Sequence, residues 1–205
     1  MRLGDAVRYL AGDRGAILRI ARTRGALCVG AILVLTGSVA RNYDGADLVG
    51  EWKVLTHGIG ASIVNALLLY TLAYAAARAH RQERPRFFSG FLSFLGLFWM
   101  TAPTAWLYAV PYERFLTPVE AVNANTWTLA LVAVWRVALI TRVLAVIWGA
   151  RYMTVLFIVL FFADAALVAG TLLAPMPVVD FMGGMEQSPA DTALVVAANR
   201  LMRAP

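Results

Sequence analysis

The sequence predicts an all-α fold, a polytopic transmembrane helical bundle with five spanning helices and an amphipathic helix at each end. The 205 residues are 60% hydrophobic and only 15% charged, whereas soluble domains are roughly 45–50% apolar and about 25% charged. Five apolar runs have roughly the length, ~20 residues, that crosses a bilayer. Arginines are concentrated in short segments between these runs, which is typical of membrane proteins.

The length predicts a single membrane domain of residues 1–205. A basic interfacial segment, residues 1–24, precedes the spans, and an outer C-terminal segment, residues 175–205, follows them. The predicted spans are residues 25–40, 57–79, 87–110, 126–148 and 152–173. Pro103 lies inside the third span, so we expect it to kink that helix and free a backbone carbonyl.

The first predicted span is the shortest, and it has a competing interpretation. A basic leader, an apolar stretch and the small residues Ser38-Val39-Ala40 together resemble a signal peptide with its cleavage site. Residues 1–24 make a long leader for a signal peptide, however, so we favour a span that is retained.

The charges between the spans predict the orientation. Three alternate segments are rich in arginine, namely Arg2, Arg8, Arg14, Arg19, Arg22 and Arg24, then Arg81, Arg84 and Arg86, then Arg151. The opposite loops balance their bases with acids. The positive-inside rule therefore places the N-terminus in the cytoplasm and the C-terminus outside, and we expect a bacterial inner membrane.

Both flanks of the membrane domain are predicted to be helical. Residues 2–22 place apolar side chains at near-helical spacing among arginines, which is typical of an interfacial helix on anionic lipid headgroups. Gly12 and Gly15 are expected to break this helix in two, and a disordered basic leader is the alternative. The TPVE sequence of residues 117–120 is a capping box with proline at the first helical position, so a helix should start there and lead into the fourth span. The SPAD sequence of residues 188–191 predicts a C-terminal helix in the same way.

Arg136 and Asp164 lie near the centres of the fourth and fifth spans. Each is 14 residues from Ala150, the middle of the connecting turn. In an antiparallel hairpin both would sit ~21 Å from the turn, near mid-membrane. An isolated charge there costs at least ~2.5–3.5 kcal/mol on insertion scales. The sequence therefore predicts an Arg136–Asp164 ion pair facing the bundle interior.

Arg142 leaves two alternatives open. It lies six residues after Arg136 and points about 120° away from it on the helix. It can snorkel to the headgroups and leave a purely structural pair, which we favour. Alternatively it joins Arg136 in one positive cavity that contacts an anionic lipid or another anion.

The loop between the first two predicted spans is dense in polar groups. Its candidate partner-binding residues are Arg41, Asn42, Tyr43, Asp44 and Trp52. A solvated loop with an Asn-Tyr-Asp-Gly turn is the alternative, and the residue types favour it.

The sequence holds no pattern that indicates catalysis or cofactor binding. The motifs of serine hydrolases, zinc proteases, P-loop proteins and dinucleotide-binding folds are absent from the 205 residues. We predict no cofactor, no metal and no catalytic residue, and the placement of the arginines argues against nucleic acid as a partner.

Five spans, a cytoplasmic N-terminus and the tetrapeptide Asp47-Leu48-Val49-Gly50 before an apolar span resemble the Yip1-like family of small five-span membrane proteins. The family's acidic-Leu-x-Gly element precedes its first span, whereas here the tetrapeptide precedes the second. The resemblance implies a non-enzymatic membrane organiser. Three hypotheses follow: a non-catalytic scaffold or accessory subunit of a membrane complex, which we favour; a carrier or binding protein for an anionic lipid or small anion; and a membrane enzyme without a recognisable motif.

Overall fold

The computed structural model describes residues 3–23, 25–42, 53–79 and 86–173, and every regular element in these ranges is helical. The helices are α1 (Leu3–Leu10), α2 (Arg14–Ala21), α3 (Ala26–Asn42), α4 (Lys53–Ala79), α5 (Phe87–Trp99), α6 (Pro118–Trp148) and α7 (Tyr152–Leu173). Two 3₁₀ helices, Ala102–Ala109 and Tyr112–Arg114, connect α5 to α6. The predicted all-α class is confirmed.

Four of the five predicted spans coincide with one helix each, and the third coincides with α5 and the 3₁₀ helix that follows it. Three of the five are long and apolar enough to cross a membrane. These three are Gly58–Ala77, Phe87–Ala109 and Val119–Trp148. A fourth is added if α2 and α3, whose axes meet at 107°, count as one broken span, and α7 contributes the shorter apolar helix Tyr152–Ala166. By helix length and composition the chain is therefore a helical membrane protein.

Helix α6 begins at the predicted capping box. The carboxylate of Glu120 accepts hydrogen bonds from the backbone N–H of Thr117 at 3.1 Å and from its hydroxyl at 2.7 Å. The helix then runs for 31 residues to Trp148. That is ~46 Å, longer than the ~30 Å hydrocarbon core, so part of α6 extends beyond the apolar layer.

The third predicted span is broken, as expected from Pro103. α5 ends at Trp99, and the chain continues as the 3₁₀ helix Ala102–Ala109. At the break the N–H of Thr101 donates to the carbonyl of Phe98 at 3.2 Å. In a continuous α-helix that N–H would donate to the carbonyl of Leu97. The break therefore releases the Leu97 carbonyl for another donor.

Helices α3, α4 and α5 pack closely because small residues lie at their contacts. A Cβ atom added at Gly30 of α3 would lie 2.7 Å from the Cβ of Trp99 in α5. The indole N–H of Trp99 donates in turn to the hydroxyl of Ser62 in α4 at 3.0 Å. The Trp99 side chain thus joins three helices through one close approach and one hydrogen bond.

Helices α1 and α2 form a hairpin that packs on the bundle. The chain reverses at Gly12, whose φ of 76° lies in the left-handed region that glycine tolerates best. Tyr9, Ile17 and Ile20 are at most 1% exposed, and α2 contacts both α5 and α6. The predicted break at Gly12 is confirmed. The apolar side of α2, which we expected to face lipid, is instead covered by protein.

Candidate functional site

The Arg136 side chain of α6 extends to the ring of Phe98 in α5. The side chain is half-buried, and its guanidinium carbon lies 5.8 Å from the centre of the Phe98 ring. This is a cation–π contact, which stabilises a cation most where water is excluded. The aromatic ring therefore takes the place that we had predicted for the carboxylate of Asp164.

Asp164 does not pair with Arg136. Its side chain is exposed, and within residues 3–23, 25–42, 53–79 and 86–173 the salt bridge found is Arg19–Asp5, at 2.8 Å. The reason is the rotation of α7. Val155, which is 2% exposed, marks its buried side, and Asp164 follows nine residues later. At about 100° per residue, nine residues turn the side chain by about 180°. Arg136 and Asp164 can therefore lie at the equal depth that residue counting gave, although their side chains do not face each other.

Arg142 also lies apart from Arg136. Its Nε–H donates to the carbonyl of Gly12 at 3.2 Å. It lines a cavity of about 340 Å³ at the α6–α7 turn together with Arg14 and Tyr152. The structure therefore does not assemble the predicted cavity of Arg136, Arg142 and Asp164, and it gives Arg142 a different basic neighbour, Arg14.

Comparison with known proteins assigns no family to this chain. The chain matches no family model, no curated protein and no solved structure. Membership of the Yip1-like family stays a prediction, and the functional argument depends on the geometry of the chain itself.

Tyr9 is the buried polar residue that our sequence reasoning missed. Its hydroxyl donates to the carbonyl of Leu97 at 2.6 Å, which is the carbonyl released by the break after α5. Burial raises the pKa of Tyr9 well above its usual range, and the nearby charge of Arg136 opposes part of that increase. Pro103 predicted a break in the helix and a free carbonyl at Trp99, four residues before it. Nothing in the sequence indicated that Tyr9, 88 residues before Leu97, would bind the Leu97 carbonyl.

Much of the predicted partner-binding loop lies outside the described residues. Arg41 and Asn42 form the end of α3, whereas Tyr43, Asp44 and Trp52 lie outside. The predicted C-terminal helix also lies outside the part of the chain that the structure describes. Within the described part, no group of three or more His, Cys, Asp or Glu side chains could hold a metal ion.

The outward face of α7 presents a regular apolar stripe. Phe157 is 72% exposed, Phe161 66% and Val168 56%, and Asp164 lies between the last two. The spacing of four, three and four residues puts all four side chains on one side of the helix. Spacing of this kind packs against a second helix in a coiled-coil seam. We call these four residues the α7 stripe.

Proposed function

We propose that this protein is a non-catalytic subunit of a membrane complex, and that the α7 stripe binds a transmembrane helix of another subunit. One observation carries the proposal. Asp164 is exposed near the middle of an apolar helix, and it has no hydrogen bond or ion pair within the described part of the chain.

In an isolated subunit, the position of Asp164 in the membrane carries a large free-energy cost of insertion. It follows Tyr152, the first residue of α7, by 12 residues, so it lies ~18 Å along the helix axis. An Asp at the centre of a spanning helix costs about 2.5–3.5 kcal/mol on insertion scales. Because Arg136 lies on the other side of the hairpin, nothing in the described chain offsets this cost.

A cationic side chain on a partner helix would offset it. The partner helix would carry Lys or Arg at the depth of Asp164, and small or apolar residues opposite Phe157, Phe161 and Val168. A second copy of this chain fits less well, because a symmetric contact through the stripe would bring two Asp164 carboxylates together. Charge complementarity therefore favours a different subunit.

The topology belongs to the same proposal. In it, all five predicted segments cross the membrane, the N-terminus lies in the cytoplasm and the C-terminus outside, as the loop arginines indicate. α7 then spans the bilayer beside the partner helix. The apolar Tyr152–Ala166 segment supports this reading by its composition.

Site-specific photocrosslinking in membranes of the native host tests the proposal. A benzoylphenylalanine placed at Phe161, next to Asp164 on the stripe, should give one discrete protein adduct. Trp127 of α6 is 76% exposed and provides the matched position on another outward face, where we expect no such adduct. Peptide sequencing of the Phe161 adduct should identify a transmembrane segment that contains Lys or Arg.

The variant Asp164→Leu separates a specific contact from chance proximity. It keeps the apolar stripe and removes the charge, so the Phe161 adduct should disappear although the protein still inserts. An adduct that survives Asp164→Leu contradicts the charge-based proposal. An adduct of twice the chain mass would show a second copy instead of a different subunit.

A further inference from the structure

A groove along α6, between the α1–α2 hairpin and the start of α7, combines a basic end with an apolar trough. The cavity of about 340 Å³ at Arg14 and Arg142 shares Arg142 and Tyr152 with a second cavity of about 570 Å³. The two cavities are therefore adjacent at these residues. We call them together the Arg14–Arg142 groove.

The basic end of the groove holds two uncompensated charges. Arg14 and Arg142 are both exposed, and neither has an ion pair within the described ranges. The acidic side chains of the same hairpin are already engaged. Asp13 accepts the N–H of Ala16 at 2.7 Å, and Asp5 binds Arg19. Neither Asp5 nor Asp13 forms an ion pair with Arg14 or Arg142 within the described residues, so an anion entering the groove would meet two guanidinium groups that have no acidic partner.

The backbone holds Arg142 in position while leaving most of its donors available. Its Nε–H donates to the carbonyl of Gly12, and its terminal nitrogens have no hydrogen bond within the described chain. Gly12 adopts a φ of 76° at the turn of the α1–α2 hairpin, so this turn fixes where Arg14 lies relative to Arg142. Two guanidinium groups that line one cavity suit the oxygens of a phosphate.

The apolar trough follows one face of α6. One wall of the trough consists of α6 side chains at helical spacing that end at Arg142, namely Leu131, Val134, Trp135, Ala138 and Leu139. Leu10 and Ala11 of the α1–α2 hairpin also line the trough. From Leu131 to Arg142 the stripe extends ~16 Å along the helix. The exposed fractions of Leu131, Val134 and Trp135 are 56%, 68% and 47%, so the trough is open along its length.

We propose that the Arg14–Arg142 groove binds one anionic phospholipid, with its phosphate between the two arginines and an acyl chain along the trough. A free anion would contact only the two arginines at the basic end and would make no use of the apolar side chains of the trough. A zwitterionic lipid would bring a cationic group to two arginines. The joined basic and apolar surfaces therefore favour an anionic lipid, and this site is independent of the α7 stripe.

Native mass spectrometry of the full-length protein in mild detergent tests the proposal, with dioleoyl phosphatidylglycerol and dioleoyl phosphatidylcholine as the added lipids. We expect one phosphatidylglycerol to bind in preference to phosphatidylcholine. Arg14→Gln should weaken phosphatidylglycerol binding about tenfold, because it removes a charge-assisted hydrogen-bond donor. Arg114→Gln, the same change in the 3₁₀ helix Tyr112–Arg114 and outside the groove, should leave binding unchanged.

A second variant tests the trough while keeping both arginines. Ala138→Trp should fill the trough and weaken phosphatidylglycerol binding even if Arg14→Gln fails to fold. Equal losses for Arg14→Gln and Arg114→Gln would mean diffuse attraction to basic residues and would overturn the site. Displacement of the lipid by millimolar inorganic phosphate, with no effect of Ala138→Trp, would show a free-anion site and overturn the lipid proposal.

Discussion

The hydrogen bond between Tyr9 and Leu97 gives the sharpest test of how the N-terminal hairpin is held. The hydroxyl–carbonyl distance is 2.6 Å, and both residues are 0% exposed. Tyr9→Phe keeps the aromatic ring and removes the hydroxyl that donates to the Leu97 carbonyl. The Leu97 carbonyl, released by the break after α5, would then be buried without this donor. We expect the free energy of unfolding to fall by about 1–3 kcal/mol, the cost of an unpaired buried polar group.

Tyr70 supplies a matched control for the same substitution. It is 1% exposed, but its hydroxyl is buried without a hydrogen-bond partner among the described residues. Tyr70→Phe removes an unsatisfied hydroxyl from the same kind of environment. Because no bond is lost and a buried polar group is relieved, the variant should be neutral or more stable than the parent.

The measurement is SDS-induced unfolding of the purified protein in mixed micelles, followed by far-ultraviolet circular dichroism. Tyr9→Phe should unfold at a lower SDS mole fraction than the parent, and Tyr70→Phe at the same or a higher one. Equal destabilisation by both variants would refute the reasoning, since it would mean that loss of the hydroxyl matters irrespective of its partner. A neutral Tyr9→Phe would refute it as well.

The remaining predictions concern pH, helix contact and capping. Because burial raises the pKa of Tyr9 in the folded protein, its contribution to stability should be complete below about pH 10, where the unfolded tyrosine begins to ionise, and should fall progressively as the pH rises further. Tyr9→Phe should remove that part of a pH-dependent unfolding curve. Gly30→Ala should lower the free energy of unfolding by about 1–3 kcal/mol, because the added carbon overpacks the contact with Trp99. Gly60→Ala, with open space around the added carbon, should raise it by about 0.5–1 kcal/mol. Thermal unfolding of the two variants and the parent measures both changes. Thr117→Ala should lose about 1 kcal/mol of capping energy while Thr117→Ser retains most of it, because only serine keeps a hydroxyl for Glu120.

The sequence predicted the helices well because their signals are local. Apolar runs, the capping box at Thr117 and the break near Pro103 each depend on a few neighbouring residues, and each has its counterpart in the structure. The number of helices that cross the membrane is a different question. Three pass on length and composition, and α7 is shorter in its apolar part, so five spans belong to the proposal.

The predicted Arg136–Asp164 ion pair was wrong because local sequence signals do not determine how a helix is rotated about its axis. Residue counting gave the depth of Arg136 and Asp164 along their helices, but an ion pair also requires the two side chains to face each other. Val155 and Val159, the buried residues among the described side chains of α7, show that rotation, which turns Asp164 outward. The same limit explains why Arg14 was not recognised as the neighbour of Arg142, because their proximity depends on how the α1–α2 hairpin packs on α6.

The position of that hairpin sets the order in which the protein can assemble during synthesis. Tyr9 binds a carbonyl that lies 88 residues later in the chain. At translation rates of about 5–20 residues per second, Tyr9 waits roughly 4–18 s after its own synthesis before this acceptor is made. During that interval α5 is incomplete and α6 has not been made, so α2 lacks the two helices that it contacts in the finished fold. The α1–α2 hairpin is therefore synthesised first but packs on the bundle late, because its contacts form only after the middle of the chain has been made.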